Sequence, residues 1–235
     1  MSFRRKSLPY IDKVDPWSSH ARISRRLQSL PPGTRVLDVG AASGTLGRMC
    51  AGRNLILHGI EPEVEWAEVA RPYYDALVCD TLAGVSSDFL RDHAVVVLAD
   101  VLEHLAYPEL ALRRLLALQP PGTRFIISVP NVANLWIRLN LLIGRFDYTD
   151  RGILDYTHLR FFTRRSLLEM LESLGLAVQR IDVTPVPLNL VHPFFQNSGL
   201  GKFFHQSLAQ LTLAAPTLLG YQFIVEVSRK VYDRE

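Results

Sequence analysis

Short apolar runs alternate along this chain with stretches whose apolar residues recur every three or four positions. That is the pattern of strands joined by crossover helices. The first amphipathic stretch is predicted to start near Asp15-Pro16, to carry Ile23, Leu27 and Leu30 on one face, and to stop at Pro31-Pro32-Gly33. Arg35 to Val39 reads as the first strand, followed by a glycine-containing turn and a helix through Leu46, Met49 and Cys50. Leu55 to Ile60, Ala76 to Cys79, Ala94 to Leu98 and Phe125 to Val129 read as four further strands. Helices are predicted between them near Val64 to Arg71 and over Pro108 to Leu118, the latter with Leu110, Leu112, Leu115 and Leu116 apolar.

The second half is less regular. An amphipathic helix is predicted over Val132 to Ile143 and an ordered loop over Asp147 to Phe162. Thr163 is placed to cap a helix carrying Leu167, Leu168, Leu171 and Leu174, with Gly175 at its end. Leu176 to Val183 and Tyr221 to Val227 read as two more strands, separated by a proline-punctuated apolar insert at 185–220. The expectation is one α/β domain over residues 1–235, with 131–162 as a cap and 185–220 as an insert.

Composition narrows the class. The formal net charge is only +3, from 26 basic and 23 acidic residues, so no nucleic-acid partner is expected. Arg4-Arg5-Lys6 is the one basic cluster and reads as a solvated arm, or as a contact with an anionic membrane. The two cysteines, Cys50 and Cys79, lack metal-ligand spacing and read as core or near-core residues. Without a secretory leader or a long apolar run, a cytoplasmic location is expected.

The chemistry concentrates in V-L-D-V-G-A-A-S-G-T-L-G, Val36 to Gly47. Gly40 and Gly44 sit in a strand-to-helix turn where side chains would block a ligand, and the following helix offers free N–H groups. The spacing G-x-x-x-G-x-x-G, with Ala42 in the middle, does not meet the dinucleotide fingerprint G-x-G-x-x-G. Asp38 ends the first strand, Glu61 the second, Asp80 the third, and Asp100 follows the fourth. Each alone could be a helix cap or a solvated loop end. Four carboxylates on one sheet edge favour a cationic ligand group.

These residues resemble the class I S-adenosylmethionine (SAM) dependent methyltransferases, in V-L-D-V-G-A-A-S-G, G-I-E-P, C-D-T-L and D-V-L-E-H-L. The resemblance runs from Val36 to about Phe162. It implies a Rossmann-like open α/β sheet of seven strands in the order 3-2-1-4-5-7-6, the last antiparallel, with helices on both faces. It implies SAM as cofactor and S-adenosylhomocysteine as product. Gly40, Ala41 and Gly44 would line the methionine part, with Asp38 nearby. Glu61 would hold the ribose with Pro62 beside it, Asp80 and Thr81 would flank the adenine, and Asp100 and Val101 would run toward the reacting centre. Many family members carry Gly at the position of Ala42.

For the reaction, His104 in D-V-L-E-H-L and His158 in I-L-D-Y-T-H-L-R-F-F-T are the candidate catalytic bases. Each has a structural alternative: His104 as a helix-start residue under the cofactor, His158 as a hydrogen bond pinning its loop. The segment around His158 is similar to bacterial methyltransferases of surface-glycan and glycolipid synthesis. D-V-L-E-H is similar to quinone O-methyltransferases, some of which hold a divalent ion near the equivalent Glu and His. Glu103 and His104 lack a third ligand in sequence, so no metal is expected. Arg160 reads as an anion contact or a partner of Asp155.

The expected activity is O-methylation of a sugar, glycolipid or other small molecule, with a quinone-type or natural-product acceptor as the alternative. From other classes, a nicotinamide-dependent oxidoreductase or a silent SAM-binding protein remains open. Trp136, Leu139 and Phe146 could wall a substrate cavity or be core. The insert could pack on the sheet, form a homodimer contact, or meet a lipid-linked glycan or a membrane surface.

Overall fold

The computed structural model describes residues 15–230, so the Arg4-Arg5-Lys6 cluster lies outside the described residues. In chain order the elements are α1 (Ser19–Leu27), β1 (Arg35–Val39), α2 (Thr45–Cys50), β2 (Ile56–Ile60), α3 (Val64–Ala70), β3 (Ala76–Val78), α4 (Ser87–Leu90), β4 (Val95–Ala99), α5 (Pro108–Leu118) and β5 (Arg124–Pro130). Then follow α6 (Leu135–Leu142), α7 (Arg164–Ser173), β6 (Leu176–Thr184), α8 (Leu188–Val191), α9 (Phe194–Asn197), α10 (Gly199–Ala214), α11 (Pro216–Leu219) and β7 (Gln222–Arg229).

The seven strands form one sheet in the order β3-β2-β1-β4-β5-β7-β6, with β7 antiparallel to both of its neighbours. The pairings from β3 to β5 are all parallel. The strand pleat divides the apolar side chains between two layers. Leu37, Leu98, Phe125 and Ile127 pack on one side with Leu112 and Leu115 of α5 and Leu167 and Leu171 of α7. Val36, Val95, Val97 and Ile126 pack on the other with Ile23 and Leu27 of α1 and Leu46 of α2. Burying each Leu or Ile fully contributes roughly 1.5–3 kcal/mol.

Several boundaries differ from the sequence reading for identifiable reasons. α1 starts later because Ser18 takes the N-cap, its hydroxyl accepting from the Ala21 N–H at 3.2 Å. Such a cap is worth about 1 kcal/mol. Asp15 instead accepts from the Trp17 N–H. Leu30 falls beyond the helix end, and Leu110 points to solvent although it fits the helical period. Cys79 is exposed, not near-core: β3 ends at Val78 and the chain turns outward. Thr163 caps α7 as expected, in a reciprocal pairing with Ser166.

The largest differences lie in the second half. The predicted amphipathic helix shortens to α6, capped by Asn134, and buries only Ile137. Trp136 and Leu139 are exposed rather than core. The 185–220 insert folds into α8 to α11, and α10 buries Gly201, His205, Ala209 and Thr212.

Candidate active site

The carboxyl ends of β1, β2 and β4 bring the predicted acids together. Gly40 and Ala41 donate their N–H groups to the Ile60 carbonyl at 2.8 and 2.9 Å, so the glycine turn is laced to the end of β2. Glu61, next in line, is 4% exposed and accepts from the Ala42 N–H at 2.7 Å and the Glu63 N–H at 3.0 Å. The Glu61 carboxylate therefore braces the glycine turn from the end of β2.

The two glycines are required by the chain's own packing. Gly40 has φ +78° and a Cβ there would lie 2.8 Å from Val101 Cγ2. Gly44 has φ +79° and a Cβ there would lie 2.9 Å from the Ala70 Cα. Both conformations are left-handed, which favours glycine. Ala42 is also left-handed, at φ 46°, and carries its Cβ at a cost.

Asp38 is buried on the face shared with α2, and the Tyr74 hydroxyl donates to it at 2.5 Å. Burial pushes its pKa up to about 6; the Tyr74 hydrogen bond opposes that rise and the nearby Glu61 charge adds to it. Asp100 has the left-handed φ of 58° and accepts from the Ser128 hydroxyl at 2.7 Å and the Gln222 amide at 2.9 Å. Asp80 and Thr81 are exposed beyond β3, and Asp80 folds back to accept from the Thr81 N–H at 2.6 Å. Pro62 is also exposed.

The loop after α6 completes the constellation. The N–H groups of Leu159 and Arg160 both donate to the Glu103 carbonyl, at 2.7 and 3.0 Å. That docking puts the His104 and His158 rings edge to face, centroids 4.8 Å apart. His158 is buried and its Nδ1 lies 2.9 Å from the Ile153 carbonyl; His104 Nδ1 lies 3.2 Å from the Thr157 carbonyl. Carbonyls only accept, so each Nδ1 carries a proton toward its carbonyl. Arg160 donates to the Ala106 carbonyl through Nε and Nη2.

Glu103 is 1% exposed and neither carboxylate oxygen has a hydrogen-bond partner. Burial, with the Asp100 charge second, holds its pKa well above the carboxylate range. One ligand atom from each of Glu103, His104 and His158 lies within 4.8 Å of the others. The third ligand that the sequence lacked is thus His158, brought 54 residues along the chain by tertiary docking. A buried, orphaned carboxylate beside two imidazoles fits a divalent cation.

The sequence reading missed Tyr74, Ser128 and Gln222. Ser128 is fully buried within the apolar run F-I-I-S-V, and Gln222 is 7% exposed at the start of β7. For Ser128, a polar residue inside an otherwise apolar strand was a usable signal. Nothing in the spacing pointed to Tyr74.

A family described as "Methyltransferase domain" matches residues 17–181. A ubiquinone biosynthesis O-methyltransferase from Aeromonas salmonicida is 30% identical over 158 residues, 63% of this chain and 64% of that protein. One from Vibrio vulnificus is 29% identical over 160 residues, 63% of this chain and 66% of that protein. The chain thus matches just under two thirds of the length of these curated relatives. The structure is similar to the magnesium protoporphyrin IX methyltransferase of Synechocystis PCC 6803 with bound S-adenosylhomocysteine. The TM-score is 0.61 at 16% identity, over 90% of this chain and 82% of that one.

Proposed function

We propose, from the premise that this chain belongs to the class I SAM-dependent methyltransferases, that it transfers a methyl group from SAM to a hydroxyl oxygen of a small-molecule acceptor. The observation that carries this reading is the juxtaposition of the strand-end acids Asp38, Glu61 and Asp100 with the Glu103, His104 and His158 cluster. One half suits a cationic cofactor, the other an acceptor that must lose a proton.

SAM, when bound, supplies an electrophilic methyl on a sulfonium centre. The chain's own part is to bind and align it, because in-line displacement depends on positioning. Gly40, Ala41 and Gly44 are assigned to the methionine portion, Glu61 and Pro62 to the ribose, and Asp80 and Thr81 to the adenine. Asp38 and Asp100, with Val101, supply negative charge and a wall beside the reacting centre. A proton leaves the acceptor hydroxyl to an imidazole Nε2 of His104 or His158, a contribution typically of about 10²- to 10⁴-fold. If Glu103, His104 and His158 hold a divalent cation, that ion supplies acidity to a coordinated hydroxyl. Segment 131–162 acts as the cap over this site within one domain.

For the acceptor, the names of the curated relatives favour a quinone-precursor hydroxyl over the sugar or glycolipid suggested by the segment around His158. The antiparallel β7 between β5 and β6 departs from the all-parallel order 3-2-1-4-5-6 of dinucleotide folds, which weighs against the oxidoreductase reading. Labelled methyl transfer from SAM to a catechol probe, with and without EDTA, tests the proposal. Transfer supports it, and loss with EDTA assigns the cluster to cation holding. Calorimetry without SAM affinity, or with tighter nicotinamide-cofactor binding, overturns it. SAM binding without transfer to the catechol or to sugar and glycolipid acceptors supports the silent-protein alternative.

A further inference from the structure

Exposed apolar surface is concentrated in two parts of this molecule. Among the described residues 25 large hydrophobics are exposed, seven of them between 135 and 146 and eight between 185 and 220. Trp136 is 68% exposed, Leu142 81%, Ile143 68% and Phe203 61%. The two parts are fastened together at their base: the side-chain amides of Asn131 and Asn134 donate to the Thr217, Leu219 and Gly220 carbonyls at 2.9 to 3.3 Å. An apolar cavity of about 480 Å³ opens in the insert, lined by Leu188, Phe194, Phe204, Leu208 and Leu211 among others.

Charge singles out the same surface. No Asp or Glu occurs from Leu110 to Phe146 or from Val183 to Val225, while Arg138, Arg145 and Lys202 sit among the exposed apolar residues. A two-fold contact between copies places the same patch on both sides. These cations would then face one another, with carboxylates only at the edge of the patch, at Asp147 and Asp150. An anionic bilayer offers what the surface lacks: hydrocarbon for the apolar side chains and negative headgroups for the arginines and lysine. Tryptophan suits that boundary layer. No helix among the described residues is long and apolar enough to cross a membrane, so the contact lies on the surface.

We propose that α6 and the helical insert dock this protein on an anionic lipid bilayer. The inference does not rest on methyl transfer, since vesicle binding needs no SAM. The test is co-sedimentation of the full chain with vesicles of phosphatidylcholine alone and with about a third phosphatidylglycerol. Binding is expected only to the anionic vesicles, and it should fall as salt is raised. Arg138→Gln and Arg145→Gln should each weaken it about fivefold. Trp136→Phe should abolish the blue shift of tryptophan emission on binding. Leu142→Ser should weaken binding while keeping the wild-type unfolding midpoint. Failure to bind either vesicle, or equal binding to neutral vesicles that ignores the arginine variants, overturns the proposal. So does a dimer abolished by Leu142→Ser in a protein that leaves vesicles in the supernatant.

Discussion

The Tyr74 hydroxyl reaches across 36 residues of sequence to donate to the Asp38 carboxylate at 2.5 Å. This contact links the turn before β3 to the end of β1, and it opposes the rise in the Asp38 pKa that burial causes. With its pKa raised from 3.8 to about 6, the folded protein holds the Asp38 proton more tightly than the unfolded chain does. The resulting stability is fully present below about pH 4 and is lost as pH rises through about 6. Asp38→Asn should remove up to about 3 kcal/mol of that slope in ligand-free protein, read by denaturant unfolding between pH 4 and 7. SAM, as a cation, should bind more tightly as pH rises through 6, by up to tenfold per unit, with Asp38→Asn flat in calorimetry.

Two small residues of the glycine turn should respond in opposite directions. Ala42 is left-handed at φ 46°, so Ala42→Gly relieves backbone strain and should stabilise by about 0.5–1 kcal/mol. Gly44→Ala adds a Cβ 2.9 Å from the Ala70 Cα at φ +79° and should destabilise by about 3 kcal/mol. Thermal unfolding midpoints compare the pair directly. Equal midpoints for the two variants would contradict this account.

Gln222 and Ser128 hold Asp100 in a left-handed backbone conformation. Gln222→Leu removes one of these hydrogen bonds without touching β1 or β2. The dissociation constant for SAM should rise about fivefold, the equivalent of one hydrogen bond, while the unfolding midpoint changes little. Titration calorimetry reads the first quantity and a melting curve the second.

Glu103 carries an orphaned carboxylate beside His104 and His158. Manganese or zinc should bind the wild type with a stoichiometry near one per chain. His158→Ala and Glu103→Gln should each weaken that binding at least about tenfold. Methyl transfer should fall with it. Metal binding undiminished in both variants would remove the cluster from the account.

The strand ladder, the glycine turn and the acids at the ends of β1, β2 and β3 were legible in the amino-acid pattern. Those features are local: a two-residue or 3.6-residue period reports which face is buried, and a strand-to-helix turn announces itself through Gly40 and Gly44. The same pattern named His104 and His158 without showing that they touch. How the carboxylates are held became visible only in the folded chain. Tyr74 meets Asp38, and Gln222 meets Asp100 across 122 residues, because neighbouring strands bring distant chain segments to one edge. The folded chain also docks the 147–162 loop on the Glu103 carbonyl, turning two candidate residues into a cluster of three. The fate of apolar residues in α6 and the insert was equally hidden. Hydrophobicity says that a side chain gains by leaving water, but whether its neighbours provide that shelter depends on packing, and here Trp136 and Leu142 are left outside.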